Sequence, residues 1–206
     1  MTLRSALLHP LAKPLVFVLC LLPLAWLVWG AATDQLGANP AEALIRGLGD
    51  WALRFLCLAL AVTPLRLHTR TPQLARYRRM LGLFVAFYAS LHLLAYGWLD
   101  MGFDVVDIGR DILKRPFILV GFTVWLLLLP LTFTSTNAAV RALGGRAWQA
   151  LHRLVYVIAP LALLHFFWMR AGKNDFAEVM VYAAIIGVLL LERLFRYLKP
   201  RGVASR

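Results

Sequence analysis

From Trp148 to Trp168 the chain reads WQALHRLVYVIAPLALLHFFW, an apolar run that carries two histidines, His152 and His165, with Pro160 between them. On a helix rising ~1.5 Å per residue the two imidazoles sit roughly 20 Å apart. Metal–ligand bonds are only about 2 Å long, so one small ion cannot be held by both. The separation is instead a large part of the ~30 Å hydrocarbon core of a bilayer. Each histidine therefore needs a partner from another helix, and His92, inside a second apolar run over residues 80–98, is the candidate. Two imidazoles facing each other across a helix pair are what a bis-histidine b-type haem requires. Buried histidines can also bond to backbone or to one another. Ionisable groups at depth are expensive, however, and three at matching depths favour a cofactor.

The rest of the chain agrees with a membrane setting. It has 206 residues, 61% of them hydrophobic and only 16% charged, a balance foreign to soluble domains. The length suits one bundle, taken here as a single domain over residues 1–206, without a soluble catalytic domain. The net charge of +12 does not point to nucleic acid, because the basic residues fall between apolar runs rather than on one polar face. Cys20 and Cys57 lie inside apolar runs and read as packing residues, with no disulfide or thiol chemistry expected.

Six spans are expected, over residues 14–32, 51–67, 80–98, 117–133, 152–169 and 179–195. The first, kinked by Pro23, is long for a signal sequence and holds Trp26 and Trp29, which suit an interfacial belt; it is read as a retained span. Orientation follows from charge. Arg4 and Lys13 precede span one, Arg66 ends span two, and Arg70, Arg76, Arg78 and Arg79 follow it. Arg141, Arg146 and Arg153 lie before and at the start of span five, and five basic residues end the chain. That places fifteen of the 22 basic residues on one side, and nine of the ten acidic residues on the other. The positive-inside rule then makes both termini cytoplasmic. The expected fold is an all-α, six-helix membrane bundle.

This topology sets depth. Spans three and five both run outward, which brings His92 and His165 to the same level toward the outer face. His152 lies at the cytoplasmic end, level with Arg78 and Arg79. A straight helix would leave His152 and His165 about 140° apart in phase, and Pro160 can bend it. Arg76, Arg78 and Arg79 flank a helix N-terminus, where free N–H groups and the dipole favour an anion such as a flavin phosphate, a haem propionate or a quinol-site partner. Ordinary positive-inside anchoring is the other reading of the same arginines. Trp148 can stack on an isoalloxazine ring or sit in the interfacial belt, the belt being the expected role. Thr134, Ser135 and Thr136 can bond the carbonyls freed at the end of span four. His9 and His68 lie in polar flanks and are not expected to ligate.

Arg78-Arg79-Met80-Leu81-Gly82-Leu83, Leu91-His92-Leu93, Phe133-Thr134-Ser135-Thr136 and Leu143-Gly144, with Trp148, Leu151-His152-Arg153, Tyr156 and His165, resemble one membrane family over nearly the whole chain. This is the MsrQ family of haem-binding subunits of methionine sulfoxide reductase systems, within the wider ferric reductase-like transmembrane domain. Wider relatives carry two histidines on each of two helices and stack two haems; here arginine stands at the second position of span three. The resemblance implies haem b (one or two), with His92, His165 and His152 as metal ligands. It also implies FMN, for which Arg76, Arg78, Arg79, Trp148 and Arg153 are the candidate cofactor-binding residues.

The resemblance further implies a subunit of the bacterial inner membrane that takes electrons from the quinone pool or a cytoplasmic flavin reductase. They would go to a periplasmic molybdopterin-containing catalytic subunit that reduces methionine sulfoxide in oxidised periplasmic proteins. The residues agree with an electron-transfer role: no Gly-rich nucleotide fingerprint, no reactive Cys pair and no carboxylate pair in the membrane interior is present. The alternatives are the membrane part of a ferric or superoxide-generating reductase, and a cofactor-free transporter. The acidic stretch around Asp104, Asp107 and Asp111 is the expected docking side for the acceptor.

Overall fold

Each long apolar run folds as a helix, and the polar stretches between them supply the caps. The computed structural model describes residues 7–172 and 174–198. Helix α1 spans Ala12–Ala32, α2 Pro40–His68 and α3 Ala75–Ala95. A 3₁₀ turn, Pro72–Leu74, precedes α3, and a π-helical turn, Tyr96–Asp100, extends it. Then come α4 (Val105–Lys114), α5 (Pro116–Phe133), α6 (Asn137–His152), α7 (Val155–Ala171) and α8 (Ala177–Leu198). Pro40 and Pro116 occupy first helical turns, where the missing N–H costs nothing. The Asn39 side chain accepts from Glu42 N at 3.2 Å, and that of Asp104 from Val106 N and Asp107 N at 2.9 and 3.0 Å.

Five helical stretches are long and apolar enough to cross a membrane: Ala12–Ala32, Pro40–His68, Pro72–Asp100, Pro116–Phe133 and Asn137–Ala171. Helix α8 is as long, but Glu192, Arg193 and Arg196 crowd its last turns. The expected spans lie inside these helices, except the fifth, which crosses the break between α6 and α7, and the structure adds two elements to them. Residues 105–114 and 137–151, read from the sequence as loop, are helices α4 and α6. Arg4, Lys199, Arg201 and Arg206, on which the charge-based orientation partly rests, lie outside the described residues, as does Lys173.

One sequence expectation is corrected. His152 and His165 do not share a helix: α6 ends at His152 and α7 begins at Val155. The backbone tightens there into three-residue bonds, Arg153 N to Ala150 O and Leu154 N to Leu151 O, between the two histidines. Pro160, expected to bend the segment, stays within α7. Helix α6 is itself broken at Gly144, whose φ of 74° only glycine adopts readily.

The bundle is built from two long pairs, α2 along α3 and α5 along α7. The Trp125 indole donates to Ser90 Oγ at 3.0 Å and ties α5 to α3. Prolines create loose ends that other helices close. Beside Pro23, the fully buried Tyr88 hydroxyl donates to Cys20 O at 2.8 Å and accepts from Leu24 N at 3.1 Å, entering the α1 ladder. Pro64 has no N–H for Leu60 O, and Arg193 of α8 donates to that carbonyl at 3.0 Å. Cys20 and Cys57 are buried and unpaired.

Candidate functional site

Helices α2, α3, α5 and α7 enclose a cavity of about 550 Å³, within the range of cofactor pockets. His92 from α3 and His165 from α7 both line it, with ring centroids 6.2 Å apart and planes at 74°. Two metal–nitrogen bonds of about 2 Å, plus a ring radius on either side, come to roughly 6 Å. The spacing therefore leaves room for one metal between the rings. Among the described residues no three His, Cys, Asp or Glu side chains gather as a metal site. A pair of imidazoles in an apolar chamber fits a porphyrin, which brings its own four equatorial nitrogens.

The two histidines are held by the same device. His92 Nδ1 donates to Ile45 O at 2.8 Å and His165 Nδ1 to Phe117 O at 2.6 Å. A carbonyl only accepts, so the proton sits on Nδ1 and the Nε2 lone pair is left for a metal. Four residues after each carbonyl stands a glycine under the ring. A Cβ on Gly49 would lie 3.1 Å from His92 Nδ1, and one on Gly121 would lie 2.7 Å from His165 Cε1 and Nδ1. On helices α2 and α5 a carbonyl and a glycine one turn later thus make each imidazole berth. Arg46 and Arg115 also line the cavity, where they could take acidic groups of a cofactor. Arg46 is paired with Glu42 at 2.6 Å, and Arg115 with Asp111 in a bidentate fork. Asp50 and Asp100 line the same cavity.

A second cavity, about 290 Å³, lies beyond Leu56, Val85 and Leu128, which line both. Its walls are apolar, and four guanidiniums line it: Arg66, Arg78, Arg79 and Arg193. No carboxylate is among its lining residues. His152 stacks on Trp148 with centroids 3.8 Å apart, and its Nδ1 donates to Trp148 O at 3.0 Å. His152 Nε2 is buried without a hydrogen bond of good geometry. The Trp148 indole donates to Thr134 O at 2.8 Å and lines the cavity beside His152.

The structure thus brings His92 and His165 together, and groups His152 with Arg78, Arg79 and Trp148. Arg76 points elsewhere, donating to Leu7 O at 3.0 Å, and Arg153 is exposed and lines neither cavity. Sequence reasoning missed Arg66 and Arg193, because their approach depends on how α2 and α8 pack. It also missed Gly49 and Gly121, whose spacing from Ile45 and Phe117 is legible only once the histidine partners are known. Thr134 and Ser135 bond Pro130 O and Leu131 O at 2.6 Å each, as the sequence suggested, while Thr136 caps α6.

Residues 48–163 match the family described as ferric reductase like transmembrane component. That stretch contains His92 and His152 and ends two residues before His165. The protein-methionine-sulfoxide reductase heme-binding subunit MsrQ of Polaromonas naphthalenivorans is 68% identical over 191 residues, covering 93% of this chain and 87% of the relative. The subunits of the same name from Bordetella pertussis and Caulobacter vibrioides are 50% and 45% identical. They cover 93% and 98% of this chain, and 93% and 94% of their own lengths. No solved structure matches. With helices long and apolar enough to cross a membrane five times, the chain is a multi-pass protein of the bacterial inner membrane, belonging to the ferric reductase-like transmembrane family and to its MsrQ relatives.

Proposed function

We propose that this chain is the haem-binding membrane subunit of a methionine sulfoxide reductase system, holding haem b between His92 and His165. The observation that carries the reading is the pair of imidazoles 6.2 Å apart, each with Nδ1 committed to a carbonyl of a neighbouring helix. A haem bound there supplies one-electron chemistry. The chain's own residues do the rest. Ile45 and Phe117 fix the tautomer and orientation of both ligands, Gly49 and Gly121 give the rings room, and Leu53, Ala89, Val124 and Ile158 keep water out. The visible spectrum of the purified protein, with a haem-to-protein ratio, tests this. A low-spin spectrum that responds to reductant is expected; a protein without haem absorption would overturn the reading.

The arginine-lined cavity serves the donor side in this proposal. Four guanidiniums, no carboxylate and a stacked Trp148–His152 pair suit a planar ring carrying acidic groups, such as FMN, or the head group of a quinone. Electrons would come from the quinone pool or a cytoplasmic flavin reductase and go to a periplasmic molybdopterin-containing catalytic subunit. Six spans with both termini cytoplasmic complete the proposal. Helix α8 supports the sixth, because Met180, Val188, Leu191 and Phe195 are exposed along its length, as a lipid-facing helix requires. Reporter fusions after Arg206 and in the loop around Arg70 should report cytoplasm, and a fusion near Asp104 periplasm; a periplasmic C-terminus would reverse the orientation.

A further inference from the structure

Helix α4 belongs to neither cavity wall alone, and its three faces have three different surroundings. Ile108, Asp111 and Ile112 are half-buried against the bundle, where Asp111 accepts from the Tyr96 hydroxyl at 2.5 Å and from Arg115. Arg110, Lys114 and Asp107 follow on the next face, with Asp107 and Arg110 paired at 3.2 Å. Val105, Val106 and Leu113 make the third, apolar and open, with 80%, 61% and 78% of their surfaces exposed. With 3.6 residues per turn these groups fall into three sectors of roughly 120° each.

The connections fix where the helix can be. Asp100 ends one membrane-spanning stretch and Pro116 begins another, and only four residues precede α4 and one follows it. Four residues reach at most ~14 Å, and a ten-residue helix is itself ~15 Å long. The link is folded back on the end of α3 by Phe103 N to Gly97 O at 2.7 Å and Asp104 N to Met101 O at 2.9 Å, and one residue joins the other end to Pro116. Both ends are thus held where the spans leave the bilayer, and the helix lies along that plane. The flanking helices also carry exposed apolar side chains, Trp98 at 63% and Leu119 at 42% exposure. Apolar residues on one side and basic residues at the rim are the pattern of a helix resting at the headgroup boundary.

We propose that α4 is an interfacial helix, with Val105, Val106 and Leu113 in the outer edge of the lipid at the histidine end of the bundle, and Arg110 and Lys114 toward the headgroups. The bilayer then supports the larger cavity through α4, which contributes Ile112 to its lining and holds Arg115 through Asp111.

Spin labels on Val106→Cys, Leu113→Cys and Arg110→Cys test this in the full chain in lipid nanodiscs, with the unlabelled parent, whose Cys20 and Cys57 are buried, as blank. Accessibility to oxygen, which partitions into lipid, is compared with accessibility to a water-soluble nickel chelate. The oxygen-to-nickel ratio should be several-fold higher at 106 and 113 than at 110, with no partner protein present. Equal ratios at the three sites would overturn the proposal. So would nickel access at 106 and 113 that is lost only when the catalytic subunit is added, since the face would then belong to that protein.

Discussion

The two cavities are separated by one layer of side chains, yet they are finished for different chemistry. In the larger, two imidazoles from different helices each donate to a carbonyl on a third and fourth helix, and both rings sit over glycine. In the smaller, the one histidine donates to a carbonyl of its own helix, one turn back, and its neighbours are guanidiniums. Guanidinium has no lone pair for iron. The contrast teaches that a histidine's value as a ligand depends on what stands opposite it and on what holds its second nitrogen. On the proposed reading, one cavity suits axial ligation and the other anion recognition.

The sharpest way to break the comparison is to remove one histidine at a time. His92→Ala and His165→Ala should each abolish the low-spin bis-histidine spectrum and lower haem content more than tenfold, measured as haem-to-protein ratio. His152→Ala should keep most of that spectrum while impairing reduction from the arginine side. Full haem loss in His152→Ala with retention in His165→Ala would overturn the assignment of the two cavities.

The glycines give the next largest effect. Gly121→Ala meets the His165 ring at 2.7 Å and should cost about 1–3 kcal/mol as overpacking. Gly49→Ala, at 3.1 Å from His92, should cost less, and both should reduce haem retention. Gly82 lines the smaller cavity with nothing within 4 Å of a new Cβ. Gly82→Ala should therefore be neutral or stabilising by up to ~1 kcal/mol, since alanine is the better helix former. Thermal unfolding and haem ratios of the three variants check the order.

On the arginine side, Arg66→Gln with Arg78→Gln should weaken FMN binding severalfold and flatten its salt dependence, read by fluorescence titration, while leaving the haem spectrum unchanged. Arg193→Met removes the donor to Leu60 O and should cost about 1–3 kcal/mol, because a buried acceptor loses its partner. Its effect should appear in unfolding rather than in the spectrum.

The smallest expected effects lie on α4. The Arg115 guanidinium, helped by the Tyr96 hydroxyl, holds the Asp111 carboxyl below the ordinary carboxylate range. A depressed native value means that this contribution is complete above the unfolded value of about 3.9 and disappears as pH falls through the lower native one. The melting-temperature gap between wild type and Asp111→Asn should thus be constant from pH 7 to about 5 and shrink below about 4. The structure also changes the expectation for acceptor docking. Asp104 caps α4 and Asp111 is held by Arg115 and Tyr96, so their neutralisation loosens the helix as well as altering charge. Asp107→Asn is the cleaner variant: it should slow reoxidation by the catalytic subunit modestly at low salt, with haem content unchanged.

Much of the site was legible before any coordinates. The pairing of His92 with His165 followed from counting residues along two spans that run the same way, and the arginine at the position opposite His152 was visible in Arg78 and Arg79. Helix α4 was not foreseen, although Asp104 followed by Val105-Val106 and the spacing of Ile108, Ile112 and Leu113 carry a cap and an amphipathic period. Four acidic residues within the stretch 100–111 drew attention to charge instead. Trp148 was expected in the interfacial belt because a lone tryptophan near a helix end usually serves there. Only its bond to Thr134 O and its stack on His152 place it in the cavity.

Sequence by itself determined the class and singled out the histidines. Apolar runs of spanning length must satisfy their backbone internally in lipid, so they become helices, and the depth of each histidine follows from its index along the run. Tertiary structure alone decided what the ligands rest on. That the carbonyls of Ile45 and Phe117 take the two Nδ1 protons, that Gly49 and Gly121 lie beneath the rings, and that Arg193 reaches Leu60 O all depend on the rotation and approach of neighbouring helices. Those quantities are set by close packing between residues far apart in the chain, and one-dimensional periodicity does not contain them.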